Sequence, residues 1–320
     1  MLDALDARTL GLVGGVLVAL GIATTVVRLL SRRNDVGLDT AMLQNFRLRV
    51  QAWWALFTIL AATFLIGHVA TVVLFGLLAF WALREFITLT PTRPGDHRTL
   101  FWVFFLLTPL QFVLVGMGQY GLYSILIPVY AFLFIPARIA MAGDYKRFLE
   151  RTAKIQAGLL ICVYCLSHAP ALLTLDLPRD GWAPRARLLF FFVLIVQLSD
   201  LLQFVWSQIP RKHVIAPTIN PNRTWEGLIG GTASVTLLGA VLWWATPFRG
   251  GNWWIAAVMS LVISLMAFAG SLTMSAIKRD RGVKDYGTLV EGHGGVLDRI
   301  DSICFAAPIF FHFTRFWLHL

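Results

Sequence analysis

Long apolar stretches recur along the whole chain, and they constrain the fold more than any other feature of the sequence. Each is about 16 to 22 residues long, and a helix needs about 20 apolar residues to cross a bilayer. Of the 320 residues, 58% are hydrophobic and only 14% are charged, whereas soluble domains have about 25% charged residues. The stretches also lack the apolar-polar alternation of membrane β-barrel strands. The sequence therefore predicts an all-α, polytopic integral membrane protein with no soluble domain.

We predict about ten transmembrane helices joined by short loops. The predicted spans are 10–30, 52–66, 69–87, 100–115, 120–140, 155–175, 188–209, 225–246, 253–274 and 302–318. As one helix, residues 52–83 would measure about 48 Å, which is too long for a bilayer, so we divide this stretch at Gly67–His68. We separate N-terminal transmembrane helices, residues 1–140, from a C-terminal catalytic region, residues 141–320.

The distribution of basic residues predicts the topology. With ten spans, the loops on one side contain 21 of the 27 Lys and Arg residues, and the side with both termini contains six. Basic residues favour the cytoplasmic side, so both termini are predicted to be non-cytoplasmic. Topology thus explains the net charge of +10, and we expect no nucleic-acid partner. Arg outnumbers Lys by 22 to 5, which favours a bacterial inner membrane, with the active site facing the cytoplasm.

One predicted cytoplasmic loop, residues 275–301, differs from the others in its charge. It contains ten of the 44 charged residues, where an even distribution would give about four. A loop that only follows the positive-inside rule needs no carboxylates, yet this one has five. Lys278, Arg279 and Lys284 provide the positive charge that a polyphosphate requires. The alternative is a solvated loop whose basic residues contact anionic lipid headgroups.

The same loop combines candidate metal ligands with a glycine turn. Asp298 and Asp301 are three residues apart, so on a helix they would lie on one face and could bind Mg²⁺. Gly294 and Gly295, next to His293, would let backbone N–H groups approach a phosphate closely. Metal, cations and glycine turn together predict phosphoryl or nucleotidyl transfer.

Eleven residues of this loop form a pattern of fixed spacing: Ser275, Lys278, Arg279, Lys284, Asp285, His293, Gly294, Gly295, Asp298, Arg299 and Asp301. This pattern resembles the signature of the phosphatidate cytidylyltransferases, the CDP-diacylglycerol synthases. Upstream, Asn220 to Gly227 is similar to the family's Ser-Pro-Lys-Lys-Thr-Trp-Glu-Gly element, and Asp200 stands where members have Asp-x-x-Ala-Tyr. The resemblance is firm from residue 195 to 305, while the first 140 residues match only as membrane helices.

This resemblance implies an enzyme that transfers CMP from CTP to phosphatidate and releases CDP-diacylglycerol and pyrophosphate. It implies Mg²⁺ as cofactor, a monovalent cation such as K⁺, a homodimer, and contact with membrane lipids. The implied catalytic residues are Lys278, Arg279, Lys284, Asp285, His293, Asp298 and Asp301, with Asp298 and Asp301 as the metal ligands. The implied nucleotide-binding residues are Asp200, Arg223, Thr224, Glu226, Gly294, Gly295 and Arg299.

Several of these residues have a second interpretation from their positions alone. Asp200 falls inside the seventh predicted span, where an ionisable group indicates function or an interhelical hydrogen bond. Thr224 and Glu226 begin the eighth span, where they could contact nucleotide or simply cap the helix. Asp298 and Asp301 could likewise stabilise a first helical turn. The basic residues of the loop could be juxtamembrane anchors.

His293 has three open roles, because it could contact a phosphate, protonate the leaving pyrophosphate or orient the glycine turn.

Three departures from the family pattern keep other functions open. The family has Gly-Asp-Leu where this chain has Gly270-Ser271-Leu272, so an expected metal-site carboxylate is absent there. Glu291 replaces a proline and could supply part of the missing charge, and Leu201 to Phe204 replaces the Ala-Tyr pattern. One alternative is a cytidylyltransferase for another lipid phosphate, such as a lysophospholipid or an isoprenoid ether lipid. Another is a non-catalytic lipid-binding or transport relative.

Overall fold

A computed structural model of the chain is helical along most of its length. It describes residues 7–32, 47, 50, 51, 53, 54, 57–62, 66–89, 92–177, 182–209, 213–248, 252–287 and 294–319. The helical segments are α1 (Ala7–Arg32), α2 (His68–Thr88), α3 (Pro94–Gly116), α4 (Tyr120–Ala140), α5 (Phe148–Thr174), α6 (Trp182–Gln208), α7 (Trp225–Ala245), α8 (Trp253–Asp280) and α9 (Leu297–His319). Two short strands are β1 (Val214–Ala216) and β2 (Asn220–Thr224). Residues 57–62 are also helical.

Seven helices among the described residues, α2 to α8, are long and apolar enough to cross a membrane. The protein is therefore a polytopic membrane protein, as predicted, but ten spans are not confirmed. α1 has a shorter apolar stretch, Gly11–Ile22, and α9 includes charged residues at both ends. The predicted break at Gly67–His68 is confirmed, because α2 begins at His68 after Gly67, whose φ is +118°. The orientation of the termini stays a prediction.

The centre of the bundle is α6, which packs against α7, α8 and α9. Every residue from Leu188 to Val196 on this helix is buried. A helix that is apolar on all sides is expected in the interior, surrounded by other helices. Phe192 stacks on Phe310 of α9 with ring centroids 5.2 Å apart. α6 therefore forms a rigid support for Asp200, which lies nearer its C-terminal end.

A β-hairpin connects α6 to α7. Its two strands are antiparallel, with Val214 opposite Thr224 and Ala216 opposite Asn220. The prediction of an all-α fold missed it, because the hydrophobic pattern of a strand is hard to recognise over three to five residues. The hairpin places β2 directly before α7, and this strand includes Arg223.

A buried ionic cluster joins the start of α3 to the start of α5. Nη2 of Arg151 lies 2.5 Å from Oδ1 of Asp96, and both side chains are at most 4% exposed. Arg151 also donates to the backbone carbonyl of Lys146 at 2.8 Å. Beside it, Arg93 donates to both carboxylate oxygens of Asp144, and this hydrogen bonding holds the pKa of Asp144 below its usual range. The cluster fixes the α4–α5 loop against α3.

Candidate active site

A cavity of about 770 Å³ lies where the hairpin meets the ends of α6, α7, α8 and α9. Among the described residues, its charged lining residues are Asp200, Arg223, Lys278, Asp285, Asp298, Arg299 and Asp301. The sequence analysis had selected each of these seven residues, which are separated by up to 101 positions along the chain. The fold therefore brings Asp200, the upstream element (residues 220–227) and the signature loop (residues 275–301) into one site.

Arg223 is one of the cations that line this cavity. From β2, its guanidinium donates to Oε1 of Gln203 at 2.8 Å, to Oδ1 of Asp200 at 3.2 Å and to the hydroxyl of Ser271 at 2.5 Å. It also lies 5.6 Å from the centroid of the Phe268 ring. With its side chain only 15% exposed, Arg223 presents a positively charged plane at a fixed position, which suits phosphate recognition.

Lys278 and Asp298 form a second charged pair in the cavity. Nζ of Lys278 donates to Oδ1 of Asp298 at 2.7 Å and lies 5.4 Å from the centroid of the Tyr286 ring. Oδ2 of Asp298 accepts from the backbone N–H groups of Tyr286 and Gly295 at 2.8 and 2.9 Å. Asp298 thus connects Tyr286 and Gly295, two residues of the signature loop, while it orients Lys278.

Tyr286 anchors the loop to α8. Its hydroxyl donates to the carbonyl of Met274 at 2.9 Å, and its ring is buried beside Phe86 of α2. Burial raises the pKa of this phenol, so it stays a neutral hydrogen-bond donor. Tyr286 therefore acts as a fixed support for Asp298 and Lys278.

Asp200 of α6 and Asp301 of α9 both line this cavity. Within the part of the chain that the structure describes, no group of three or more His, Cys, Asp or Glu side chains could hold a metal ion. Mg²⁺ usually binds through one or two carboxylates together with water and substrate phosphates. Asp200 and Asp301 fit that requirement, whereas both oxygens of Asp298 already accept from protein donors.

The remaining predicted residues of the upstream element have structural contacts. Oγ1 of Thr224 accepts from the backbone N–H of Gly227 at 3.0 Å, so it caps α7 while also lining the cavity. Glu226 accepts from, or pairs with, Nδ1 of His213 at 2.7 Å and is not among the residues that line the cavity. Both assignments to nucleotide binding stay predictions.

Three other predicted residues of the loop, Arg279, Lys284 and Gly294, are not among the residues that line the cavity. Arg279 donates to the carbonyl of Ile219 in the hairpin at 3.2 Å, and Lys284 is exposed outside the cavity lining. Gly294 adopts a positive φ of 79°, which favours glycine. His293 and Glu291 lie outside the described residues.

The sequence analysis missed two polar contacts of the site. Asn220 donates to the hydroxyl of Ser275 at 3.2 Å, which ties the hairpin to α8. Glu85 of α2 accepts from the backbone N–H groups of Val296 and Leu297. The carboxylate of Glu85 within the predicted span 69–87 was a signal for this contact, because charged residues inside a membrane span are costly to bury.

The fold and the site together define a polytopic membrane protein with a charged, phosphate-compatible cavity at one end of its helix bundle. A family model described as the cytidylyltransferase family matches residues 47–317. The chain therefore belongs to the cytidylyltransferase family, which confirms the resemblance inferred from the signature residues. It is a nucleotidyltransferase of lipid synthesis by membership of this family.

Curated relatives match the chain to different extents. It is 34% identical over 270 residues to the uncharacterized protein YnbB of Escherichia coli strain K12, covering 84% of this chain and 87% of that protein. A phosphatidate cytidylyltransferase of Mycobacterium leprae strain TN is 34% identical over 173 residues, 54% of this chain and 53% of its own length. Another, from Staphylococcus haemolyticus strain JCSC1435, is 35% identical over 121 residues, 38% of this chain and 46% of its own length. The chain thus spans about half the length of these two enzymes.

Proposed function

We propose that the protein transfers CMP from CTP to phosphatidate, forming CDP-diacylglycerol and pyrophosphate. The observation that supports this most directly is the convergence of Asp200, Arg223, Lys278, Asp298 and Asp301 on one cavity at the end of the bundle. Cations for a triphosphate and carboxylates for a metal ion are the components that nucleotidyl transfer requires. Two of the relatives are named as phosphatidate cytidylyltransferases, which supports the same acceptor.

In the proposed reaction, an oxygen of the lipid phosphate forms a bond to the α-phosphorus of CTP. The bond from that phosphorus to the bridging oxygen of the β-phosphate breaks, and pyrophosphate leaves with the electron pair. A phosphate monoester has its second pKa near 6, so the nucleophile is largely ionised at neutral pH and needs no strong base. Catalysis therefore depends on positioning and on neutralising negative charge.

Arg223 and Lys278 are the residues proposed to neutralise that charge. Arg223 is held by three hydrogen bonds, so it can contact phosphate oxygens without reorganising during the reaction. Lys278 is oriented by Asp298, and its ammonium can move towards a phosphate as a point charge. Both residues line the same cavity, which supports the proposal that they contact neighbouring phosphates of one nucleotide.

Asp301 and Asp200 would hold Mg²⁺, and the sequence-based assignment of Asp298 as a ligand remains part of the proposal. When bound, the metal would neutralise phosphate charge and align the nucleotide with the lipid phosphate. A ligand role for Asp298 would require its oxygens to be shared with Lys278 or with the loop N–H groups. Asp298 is therefore proposed first to orient Lys278 and the loop.

The lipid tails would lie in an apolar groove on the outer surface of α7 and α8. This groove has a volume of about 550 Å³, and Leu228 lines both the groove and the charged cavity. Ile229 and Leu237 on its wall are more than 60% exposed, as expected for side chains that contact lipid. A lipid phosphate could thus enter the cavity while a tail stays in the bilayer.

A second candidate is a cytidylyltransferase that uses another lipid phosphate, such as a lysophospholipid or an isoprenoid ether lipid. The specific observation in its favour is that YnbB matches over 84% of the chain, whereas the two phosphatidate enzymes match over 54% and 38%. The serine at position 271 is a further difference at the site itself.

The proposal also includes the cellular setting. The asymmetry of basic residues supports an active site on the cytoplasmic side, with CTP arriving from the cytosol, and the excess of Arg over Lys supports a bacterial inner membrane. A homodimer and a monovalent cation are proposed on the family resemblance alone.

The test is transfer of labelled CMP from CTP to phosphatidate by the purified protein in detergent, with and without Mg²⁺. We expect product that requires Mg²⁺ and falls strongly in Asp301→Asn. Asp280→Asn is the matched control, because Asp280 lies at the end of α8, pairs with Arg281 and is not among the cavity-lining residues. Lysophosphatidate and an isoprenoid ether lipid phosphate are the competing acceptors. Folded protein that binds CTP but prefers one of these would overturn the assignment of phosphatidate.

A further inference from the structure

Glu85 holds the signature loop from a helix far away in the sequence. It lies near the C-terminal end of α2, and its side chain is 6% exposed. Oε1 accepts from the backbone N–H of Val296 at 3.0 Å, and Oε2 accepts from that of Leu297 at 2.8 Å. Because α9 begins at Leu297, the carboxylate of Glu85 caps the N-terminus of this helix, although Glu85 belongs to α2.

A carboxylate is well suited to this position for two physical reasons. The first N–H groups of a helix have no partner within the helix, and they concentrate positive charge at its N-terminus. Hydrogen bonds from N–H groups to an ionised acceptor are also stronger than those between neutral groups. Glu85 satisfies two such groups at once, so its contact fixes both the position and the direction of α9.

Two glycines allow Glu85 to approach so closely. A Cβ atom on Gly287 would lie 2.7 Å from Oε1 of Glu85, and one on Gly295 would lie 2.4 Å from Oε2. Both distances are too short for real contacts, and both glycines flank the same stretch of the loop. Gly295, one of the two glycines of the signature, is thus required here by a residue of α2.

The contact lies directly beside the charged residues of the cavity. Gly295 donates its N–H to Asp298 at 2.9 Å, and Asp298 in turn orients Lys278. Asp301 follows in the first turns of α9. A shift of the start of α9 would therefore move Asp298 and Asp301 relative to Arg223, which is held separately by α6 and α8. It would also change the hydrogen bond by which Asp298 orients Lys278 of α8.

We propose that Glu85 is a positioning residue for the reaction, one that sets the signature loop against Arg223. Its catalytic consequence rests on the proposed function, but its effect on the loop does not. The N-terminal helices thereby contribute directly to the geometry of a site whose charged lining residues, within the described part of the chain, come from Asp200 onwards.

The first test compares Glu85→Gln and Glu85→Asp with wild type by amide hydrogen exchange on the full-length protein in detergent. Glutamine keeps the shape but loses the charge and turns one acceptor into a donor facing a backbone N–H. We expect the amide exchange rates of residues 294–299 to be at least about tenfold higher in Glu85→Gln than in wild type, while α6 and α8 keep their protection. Glu85→Asp, which keeps the charge, should rescue part of this loss. If residues 294–299 exchange no faster in Glu85→Gln than in wild type, the proposal is overturned.

Activity gives a second measurement. CMP transfer per folded molecule should fall about 10- to 100-fold in Glu85→Gln, because small misplacements of catalytic groups are costly. A merely structural role would lower the folded fraction and leave kcat of the folded molecules unchanged, which would refute positioning. Glu150→Gln is the matched control, because Glu150 is an exposed residue of α5 that pairs with Lys154. If wild type has no transferase activity, the proposed function fails while the exchange result still decides the contact.

A double-mutant cycle tests the contact even if single variants are destabilised. Gly287→Ala alone should increase exchange of residues 294–299, because the added Cβ meets Glu85 and no other residue among its three nearest atoms. In a Glu85→Ala background the same substitution should add less than about twofold, since the obstacle has been removed. Additive effects of the two substitutions would contradict the proposed contact.

Discussion

The guanidinium of Arg223 lies 2.5 Å from the hydroxyl of Ser271, at the position where the resemblance to the family's sequence motif predicts an aspartate. The same guanidinium contacts one carboxylate, that of Asp200, at 3.2 Å. With an aspartate at position 271, Arg223 would lie between two carboxylates. The serine therefore leaves the surroundings of Arg223 less negative by one charge than the family pattern predicts.

This difference predicts a gain of metal affinity in Ser271→Asp. A third carboxylate beside Asp200 and Asp301 should tighten binding of a divalent cation by about fivefold or more, because affinity rises with ligand charge. Binding of Mn²⁺ to the purified protein, followed by electron paramagnetic resonance, measures the effect. Ser271→Asn is the control, since it has nearly the same shape without the charge. Equal affinities in the two variants would show that the cavity charge at this position does not govern metal binding.

Arg223 itself should be essential for turnover. Arg223→Gln removes a fixed positive charge from the phosphate site and leaves Asp200 unpaired, so kcat should fall by about 100- to 1000-fold. Arg223→Lys should retain more activity than Arg223→Gln, because lysine keeps the positive charge. It should remain less active than wild type, because lysine cannot contact Asp200, Gln203 and Ser271 together. Steady-state kinetics with CTP measures both. Arg281→Gln, outside the cavity lining, should behave as wild type, and equal activity in Arg223→Gln would exclude a role for the guanidinium.

The ionic cluster at the start of α5 should matter for stability. In Arg151→Met the carboxylate of Asp96 would remain buried without its partner, which typically costs roughly 3–5 kcal/mol. Thermal unfolding in detergent should show a clear fall in Tm. Asp96→Leu combined with Arg151→Met should recover part of this loss, because no unpaired charge remains. Lys154→Gln breaks an exposed pair on the same helix and should leave Tm nearly unchanged; an equal fall in both variants would argue against the buried pair.

Local sequence patterns predicted much of this fold. The length of an apolar stretch relative to the bilayer was enough to place a helix boundary at Gly67, and the spacing of signature residues was enough to select the charged lining of the cavity. Both inferences depend on residues near one another or on a known motif. The number of spans was harder, because α9 includes Asp298, Asp301 and Arg315 within a helix of membrane-spanning length.

Contacts between distant segments could not be predicted in the same way. Glu85 is 211 residues from Val296, and no periodicity within α2 indicates which loop its carboxylate meets. Gln203 belongs to α6 and Arg223 to the second strand of the hairpin, and the hairpin was itself too short to recognise. These partners are decided by how the helices pack, and packing is a property of the whole bundle.

The groove on α7 and α8 gives a last prediction, on selectivity for lipid chain length. Ala233 lines the groove and is exposed, so Ala233→Trp should fill it without disturbing the charged cavity. Excluding about two methylenes from apolar contact costs about 0.8 kcal/mol each, which corresponds to about a tenfold rise in KM for long-chain phosphatidate. Short-chain phosphatidate does not extend along the groove, so its KM should stay nearly unchanged.

The control for this experiment is Val241→Trp. Val241 lies on the same helix and is 68% exposed, but it is not a residue of the groove. It therefore adds the same bulk to the lipid-facing surface without occupying the proposed path of the chain, and KM for both acceptors should match wild type. Measurements of KM for CTP in each variant separate a change in tail binding from damage to the cavity. If Ala233→Trp raises KM equally for long and short chains, or for neither, the acyl chain lies elsewhere on the protein.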